Sequence, residues 1–217
     1  AIYRPRYILP DYNVYIKKGC EFLELPAPKD LDEALDGLLI LYSHVPSITT
    51  FPVYIGRLDM LLDPFITDEE QDYIKIKRFL NHVDKTVPDS FCHANIGPYD
   101  TKAGRLILKA VIELEAPTPN MTIRYDKSKT SREFAELAAK ACLLVSKPSF
   151  ANDAYYISDL GEQYGIASCY NALPECGGAY TLTRLRLGTI AHACKTVDEM
   201  VNELLPRVAK CALSTMD

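Results

Sequence analysis

Short apolar segments alternate with longer stretches of helical periodicity along most of this chain, and that alternation restricts the fold more than any other feature. Phe51 to Ile55, Ser90 to Ile96, Met121 to Tyr125 and Gly165 to Ser168 are short, apolar and set off by Gly or Pro, as buried strands are. Between them, Leu31, Ala34, Leu35, Leu38, Leu39 and Tyr42 fall on one stripe of a helix over 30–45, behind Asp30 and before Pro46. A second helix runs from Thr67 or Asp68 to about Val83, with Tyr73, Ile76, Phe79, Leu80 and Val83 inward. Its acidic first turn, Asp68-Glu69-Glu70, complements the helix dipole and needs no metal. A third helix covers roughly Thr101 to Glu115. A fourth follows Ser131, with Phe134, Leu137, Ala138, Ala141 and Leu144 inward. Phe150 lies in a short strand or loop. Residues 180–187 read as a strand or the start of a helix, and Pro206 should kink or split a last helix from Val197 to about Leu213. Strand-helix alternation with short links gives parallel strands covered by helices, as in an α/β barrel or a wound sheet.

In such folds chemistry gathers at the C-terminal ends of the strands. Those ends are Gly56-Arg57, His93 to Gly97, Arg124 to Asp126, Asn152-Asp153 and Ser168 to Asn171. Because side chains alternate along a strand, His93 and Asn95 share one face and Cys92 and Ala94 the other. Arg124 holds the matching place on the next strand, where a guanidinium can grip a carboxylate or phosphate, or form a structural ion pair. Cys169 follows a strand and enters a loop with Asn171, Pro174, Gly177 and Gly178. A thiol so placed suits redox or nucleophilic work, and packing as a small buried side chain is the other reading.

The remaining composition narrows the field. The 217 residues carry 24 basic and 29 acidic side chains, net −5, and are 48% hydrophobic. Without a clustered Lys/Arg face, this argues against nucleic acid or a membrane surface as partner. The apolar runs fall far short of the ~20 residues that span a bilayer. The seven cysteines are odd in number, irregularly spaced and free of any C-x-x-C, so neither a disulfide framework nor a cysteine-rich zinc site is expected, and no metal site is predicted. With no secretion signal at the start, a reducing cytoplasm is the expected location. G-x-G-x-x-G, G-x-x-x-x-G-K-S/T and G-x-S-x-G are all absent, so nicotinamide, nucleotide and serine-hydrolase sites have no support.

Several short blocks then carry a resemblance. Asn120-Met121-Thr122-Ile123-Arg124-Tyr125, Phe134-Ala135, Ala138-Ala139-Lys140, Ser149-Phe150-Ala151-Asn152-Asp153 and Tyr164-Gly165-Ile166-Ala167-Ser168-Cys169 resemble the glycyl radical enzymes of the pyruvate formate-lyase superfamily. The segments Phe91 to Gly97, Lys147 to Asn152 and Ser168 to Asn171 through Gly177-Gly178-Ala179 are most similar to an uncharacterised branch of it. The resemblance runs from about Arg4 to Leu187. It implies one half of a ten-stranded α/β barrel, a single partial barrel domain over 1–217, with the cysteine loop at about 165–179.

The resemblance implies that Cys169 becomes a thiyl radical and acts anaerobically on a small organic substrate, as a lyase or transferase does. The radical glycine would lie on a segment outside this chain. An iron–sulfur activating enzyme that uses S-adenosylmethionine would make it, and no cofactor would stay bound. His93 is the expected catalytic base, since its free pKa of about 6.5 suits proton transfer. Asn171, Asn95, Arg124 and Asn152 are the expected substrate-binding residues. The expected partners are the substrate, the activating enzyme and the remainder of the barrel or a second chain.

The chain departs from the family's pattern in places. Ser168 stands where pyruvate formate-lyase has the first of two cysteines, and Asn171 stands where the dehydratases have a glutamate base. An amide can orient a hydroxyl or carbonyl but cannot take the proton. Arg207-Val208-Ala209 begins like the glycine motif, but Lys210-Cys211 follow. The chain is therefore expected to be a piece of a glycyl radical enzyme, or half of a split one, and inactive alone. Two other readings stay open from sequence: a non-radical α/β enzyme with Cys169 as nucleophile and His93 as its base, and a non-catalytic assembly module.

Overall fold

Four parallel strands realise the alternation in a computed structural model, which describes residues 6–48, 53–87, 92–167, 170–179 and 185–216. In chain order the elements are β1 (Tyr7–Ile8), α1 (Asn13–Lys18), α2 (Leu31–Ile48), β2 (Val53–Arg57), α3 (Leu58–Leu62), α4 (Glu69–Thr86), β3 (Cys92–Ile96), α5 (Lys102–Leu114), β4 (Asn120–Tyr125), α6 (Arg132–Val145), β5 (Ser149–Asn152), α7 (Asp153–Leu160), β6 (Tyr164–Ala167) and β7 (Asn171–Pro174). All belong to one compact unit, Ala1–Gly178.

The sheet order is β2-β3-β4-β5, with His93 opposite Asn120, Asn95 opposite Thr122, and Thr122 opposite Ser149. This is the α/β architecture expected from the alternation, and it is consistent with the partial barrel that the resemblance implies. Its two faces differ sharply. Val53, Ile55, Cys92, Ala94, Ile96, Met121 and Ile123 join the apolar core shared with the helices. Tyr54, His93, Asn95, Thr122 and Arg124 alternate with them and are just as buried, so they form an opposite, largely polar face.

Local sequence explains where the helices begin. Asp68 accepts the backbone N–H groups of Glu70 and Gln71, Thr101 that of Gly104, and Ser131 that of Phe134. In β2, Gly56 has φ +86° at an irregularity in the β2–β3 register. That backbone conformation favours glycine, and the bulge brings Arg57 opposite Asn95.

Some boundaries differ from those expected. Helix α2 continues through Pro46 to Ile48, because a proline in a last turn removes only one helical bond. Leu144 is exposed and Val145 packs inward instead. The buried stripe steps 134, 138, 141, 145, and Leu144 lies one helical step off it. Phe150 lies in β5, and the next residues form α7. The residues after Cys169, read from sequence as loop, include β7, antiparallel to β6. Phe51, Pro52, Ser90 and Phe91 fall outside the described residues, as do residues 180–184 of the expected 180–187 element.

The second unit, Ala179–Asp217, is described by itself. It holds α8 (Leu187–His192), α9 (Val197–Glu199), a π-helical turn over Met200–Leu204 and α10 (Leu205–Met216). The π turn ends at Leu204, two positions before Pro206. The missing N–H and the ring of a proline interrupt the regular helical ladder there, which is the break its position predicts.

Candidate active site

The hairpin of β6 and β7 lies on the polar face of the sheet and defines the site. Its register pairs Tyr164 with Pro174 and Ala167 with Asn171. Ser168 and Cys169, between those last two, fall outside the described residues.

Three contacts give the path of the hairpin. Near the C-terminal end of β4, Arg124 Nη1 donates to the Tyr164 carbonyl at 3.2 Å. One level down the strands, Asn95 Nδ2 donates to the Ile166 carbonyl at 2.9 Å, and Ile166 N–H donates to Asn95 Oδ1 at 2.7 Å. Deeper still, the Tyr170 ring meets the His93 ring edge-on, with centroids 5.6 Å apart. The hairpin thus descends from the strand ends towards His93. The Asn95 carboxamide stands in for the peptide group of a neighbouring strand, satisfying both backbone groups of Ile166.

Arg124 anchors the base of the hairpin. Its Nε donates to Asp153 Oδ1 at 2.7 Å, its Nη2 donates to the Glu162 carbonyl at 3.2 Å, and its guanidinium lies 3.9 Å from the centre of the Tyr164 ring. The Tyr164 hydroxyl donates to the same Asp153 oxygen at 2.9 Å, and Lys129 Nζ lies 3.2 Å from the other. Burial alone would raise the Asp153 carboxyl, but the hydrogen bond and charge of Arg124, with Tyr164 and Lys129, outweigh it and hold the group below its ordinary value. Beside this cluster, Gly165 passes over Tyr54. A Cβ on Gly165 would sit 2.5 Å from the Tyr54 ring and hydroxyl. The Tyr54 hydroxyl donates to Glu175 at 3.2 Å. Burial pushes both groups upward.

Both nitrogens of His93 and the Thr122 hydroxyl are buried without a hydrogen-bond partner among the described residues. Burial pushes the His93 imidazole down to about 4, so it is neutral at pH 7. Thr122 lines a pocket of about 280 Å³ with Ser149, Phe150, Tyr155, Tyr156, Ile166 and Tyr170, though its hydroxyl is itself shielded. Arg57, on the other side of Asn95 in the sheet order, has its Nε buried without a hydrogen-bond partner among the described residues.

The fold thus brings His93, Asn95 and Arg124 onto one face beneath the hairpin. Asn95 and Arg124 use their polar atoms on the hairpin itself. Asn152 caps α7 through the Tyr155 N–H at 3.1 Å and lines the edge of the same pocket. Asn171 is exposed on β7, with its amide 3.4 Å from the Tyr7 hydroxyl. Sequence reasoning passed over Thr122, Tyr54, Tyr164 and Tyr170 as site residues. Thr122 was within reach, since it sits two residues before Arg124 and so shares its face. No cluster of three or more His, Cys, Asp or Glu side chains suited to a metal occurs among the described residues. No helix there is long and apolar enough to cross a membrane.

The chain is 93% identical over 217 residues to an uncharacterized protein of Haemophilus influenzae, covering 42% of that protein. It is 44% identical over 220 residues to the uncharacterized protein YjjI of Escherichia coli K12, covering 43% of it. The chain therefore spans less than half the length of these relatives. The family described as glycyl radical enzyme YjjI-like matches residues 1–217. With that match along its whole length, the chain belongs to the YjjI-like family of glycyl radical enzymes.

Proposed function

We propose that this chain is the cysteine-bearing part of an anaerobic radical enzyme, in which Cys169 relays a hydrogen atom between a glycine radical and a small organic substrate. The observation that supports it most is the hairpin, held to the sheet by Asn95 and Arg124, with Tyr170 placed over His93 at its inner end. A relay residue must be held within contact distance of its substrate and away from solvent, and a hairpin tied to the sheet through Ile166 on one side of the cysteine and Tyr170 on the other supports that reading. In this reading the glycine radical takes the hydrogen atom of the Cys169 thiol, leaving a glycine CH₂ and a thiyl. The thiyl then takes a hydrogen atom from a substrate carbon, restoring the thiol and leaving a carbon-centred radical. An S-adenosylmethionine iron–sulfur enzyme would generate the glycine radical on a segment outside this chain, in the cytoplasm.

The chain's own residues divide the remaining work. Asn95 and Arg124 act as positioning residues for the hairpin. His93 is kept neutral by burial, so an imidazole nitrogen is free to accept a hydrogen bond from a substrate hydroxyl, as a weaker base than a free imidazole. Asn171 and Asn152 are left to orient substrate oxygens.

The test uses the full-length protein, activated anaerobically. Cys169→Ala should abolish turnover while the glycine radical, seen by electron paramagnetic resonance, still forms. Turnover that persists in Cys169→Ala would move the chemistry to another residue.

A further inference from the structure

We infer that Tyr170 is a positioning residue: its ring, set against His93, holds the tip of the hairpin and so sets where the Cys169 thiol stands for hydrogen-atom transfer. The inference deepens the proposed function and rests on its reading of Cys169 as the relay.

Three observations carry it. The first is conformational. Ala167 pairs with Asn171, so residues 168–170 alone turn the hairpin. Tyr170, the last of them, has φ +64°. The closing residue of a three-residue hairpin commonly takes this left-handed conformation, and glycine is the residue that suits it. On a bulky side chain it is strained. The turn would form more easily with glycine, so the turn does not account for the ring. The second observation is the ring's contact. It meets the His93 ring edge-on, with centroids 5.6 Å apart. His93 is fully buried and neither of its nitrogens is bonded among the described residues, so it meets the hairpin as an aromatic surface. An edge-on pair is a preferred aromatic geometry and fixes the orientation of both rings. The third is that one strand grips both arms. Asn95, two residues along β3 from His93 and on the same face, bonds both backbone groups of Ile166 in β6. Ile166 and Tyr170 flank the cysteine on the two arms. Without the ring contact, β3 would hold the tip from the β6 arm alone.

The experiment uses the full-length protein, activated anaerobically and moved into D₂O with no substrate. A glycine radical keeps one α-hydrogen and gives a doublet in electron paramagnetic resonance. It takes deuterium from the Cys169 S–D, leaving a CHD group and a thiyl. The thiyl takes protium or deuterium back from that group, and the thiol exchanges again with solvent. The doublet therefore collapses to a singlet at a rate set by how the thiol is held. Tyr170→Asn removes the ring but keeps a residue that tolerates the left-handed backbone. It should slow the collapse about a hundredfold, the scale on which a misplacement of about 1 Å acts, with a melting temperature equal to or above that of the wild type. Tyr170→Phe should collapse at the wild-type rate. His93→Leu removes the other ring and should slow the collapse as Tyr170→Asn does, and the two together should slow it no further. Wild-type collapse in Tyr170→Asn overturns the inference. So does slowed collapse with a lowered melting temperature, which would make Tyr170 a structural residue only. A doublet that still collapses in Cys169→Ala refutes the relay itself, and with it the proposed function.

Discussion

Arg124 Nε and Asp153 Oδ1 lie 2.7 Å apart with both side chains almost completely shielded from water. Neither charge could be left there alone, so the pair holds only as a pair. The remaining guanidinium donors reach the carbonyls of Glu162 and Tyr164, so the ion pair also fixes where β6 begins. Asp153→Asn should destabilise the protein by about 3–5 kcal/mol, the usual cost of orphaning one member of a buried pair. Arg124→Met combined with Asp153→Leu should cost less than Asp153→Asn alone. Urea unfolding of the three proteins checks the order, and a larger loss in the double variant would overturn it.

Asn95 should be replaceable by neither an apolar nor an acidic residue. Asn95→Leu strands the N–H and C=O of Ile166 and should cost about 2–4 kcal/mol, with faster amide exchange at Ile166. Asn95→Asp keeps the acceptor for the N–H but sets a carboxylate against the carbonyl. Relative to wild type, it should regain stability on acidification, when the protonated acid can donate to that carbonyl. Parallel stability curves for the two proteins across pH would contradict this.

His93 makes a pH prediction of definite sign. Its folded value is pushed down to about 4 from 6.5 by burial. A histidine held neutral contributes stability that is fully present above its unfolded value and is lost as pH falls from 6.5 towards 4. Between pH 7 and pH 4 the wild type should lose about 3 kcal/mol relative to His93→Met. Chemical denaturation at a series of pH values measures the difference, and a constant gap would show that His93 is not desolvated.

Gly165→Ala tests how closely the hairpin lies on the sheet. The added methyl would meet the Tyr54 ring at 2.5 Å and Leu9 Cδ2 at 2.9 Å. Both neighbours are fully buried, so the clash cannot be relieved by swinging a side chain into solvent. A loss of about 1–3 kcal/mol is expected, with Tyr54→Leu recovering part of it. An unchanged melting temperature for Gly165→Ala would mean the hairpin can lift from the face.

Most of the sheet and the sidedness of His93 and Asn95 could be read from the residues, because period-2 and period-3.6 patterns are local. The strand β7 could not. Asn171 to Pro174 has no apolar alternation of its own, and its pairing with β6 is set by the hairpin. The use of Asn95 was equally hidden, since its partner Ile166 lies 71 positions away and offers only backbone atoms. Asp153 was visible as a strand-end residue beside Asn152, yet nothing local showed that it neutralises Arg124. Thr122 was passed over because an unbonded hydroxyl is a property of its surroundings, which only the packed face creates.

The tie between Asn95 and Ile166 also orders the events of folding. A bond that closes a loop of 71 residues carries an entropic cost that contacts within the strand-helix units do not. The parallel strands must already stand side by side before β6 has anything to bind. The segment that carries the cysteine is therefore expected to be secured late, once the strands bearing Asn95 and Arg124 stand side by side.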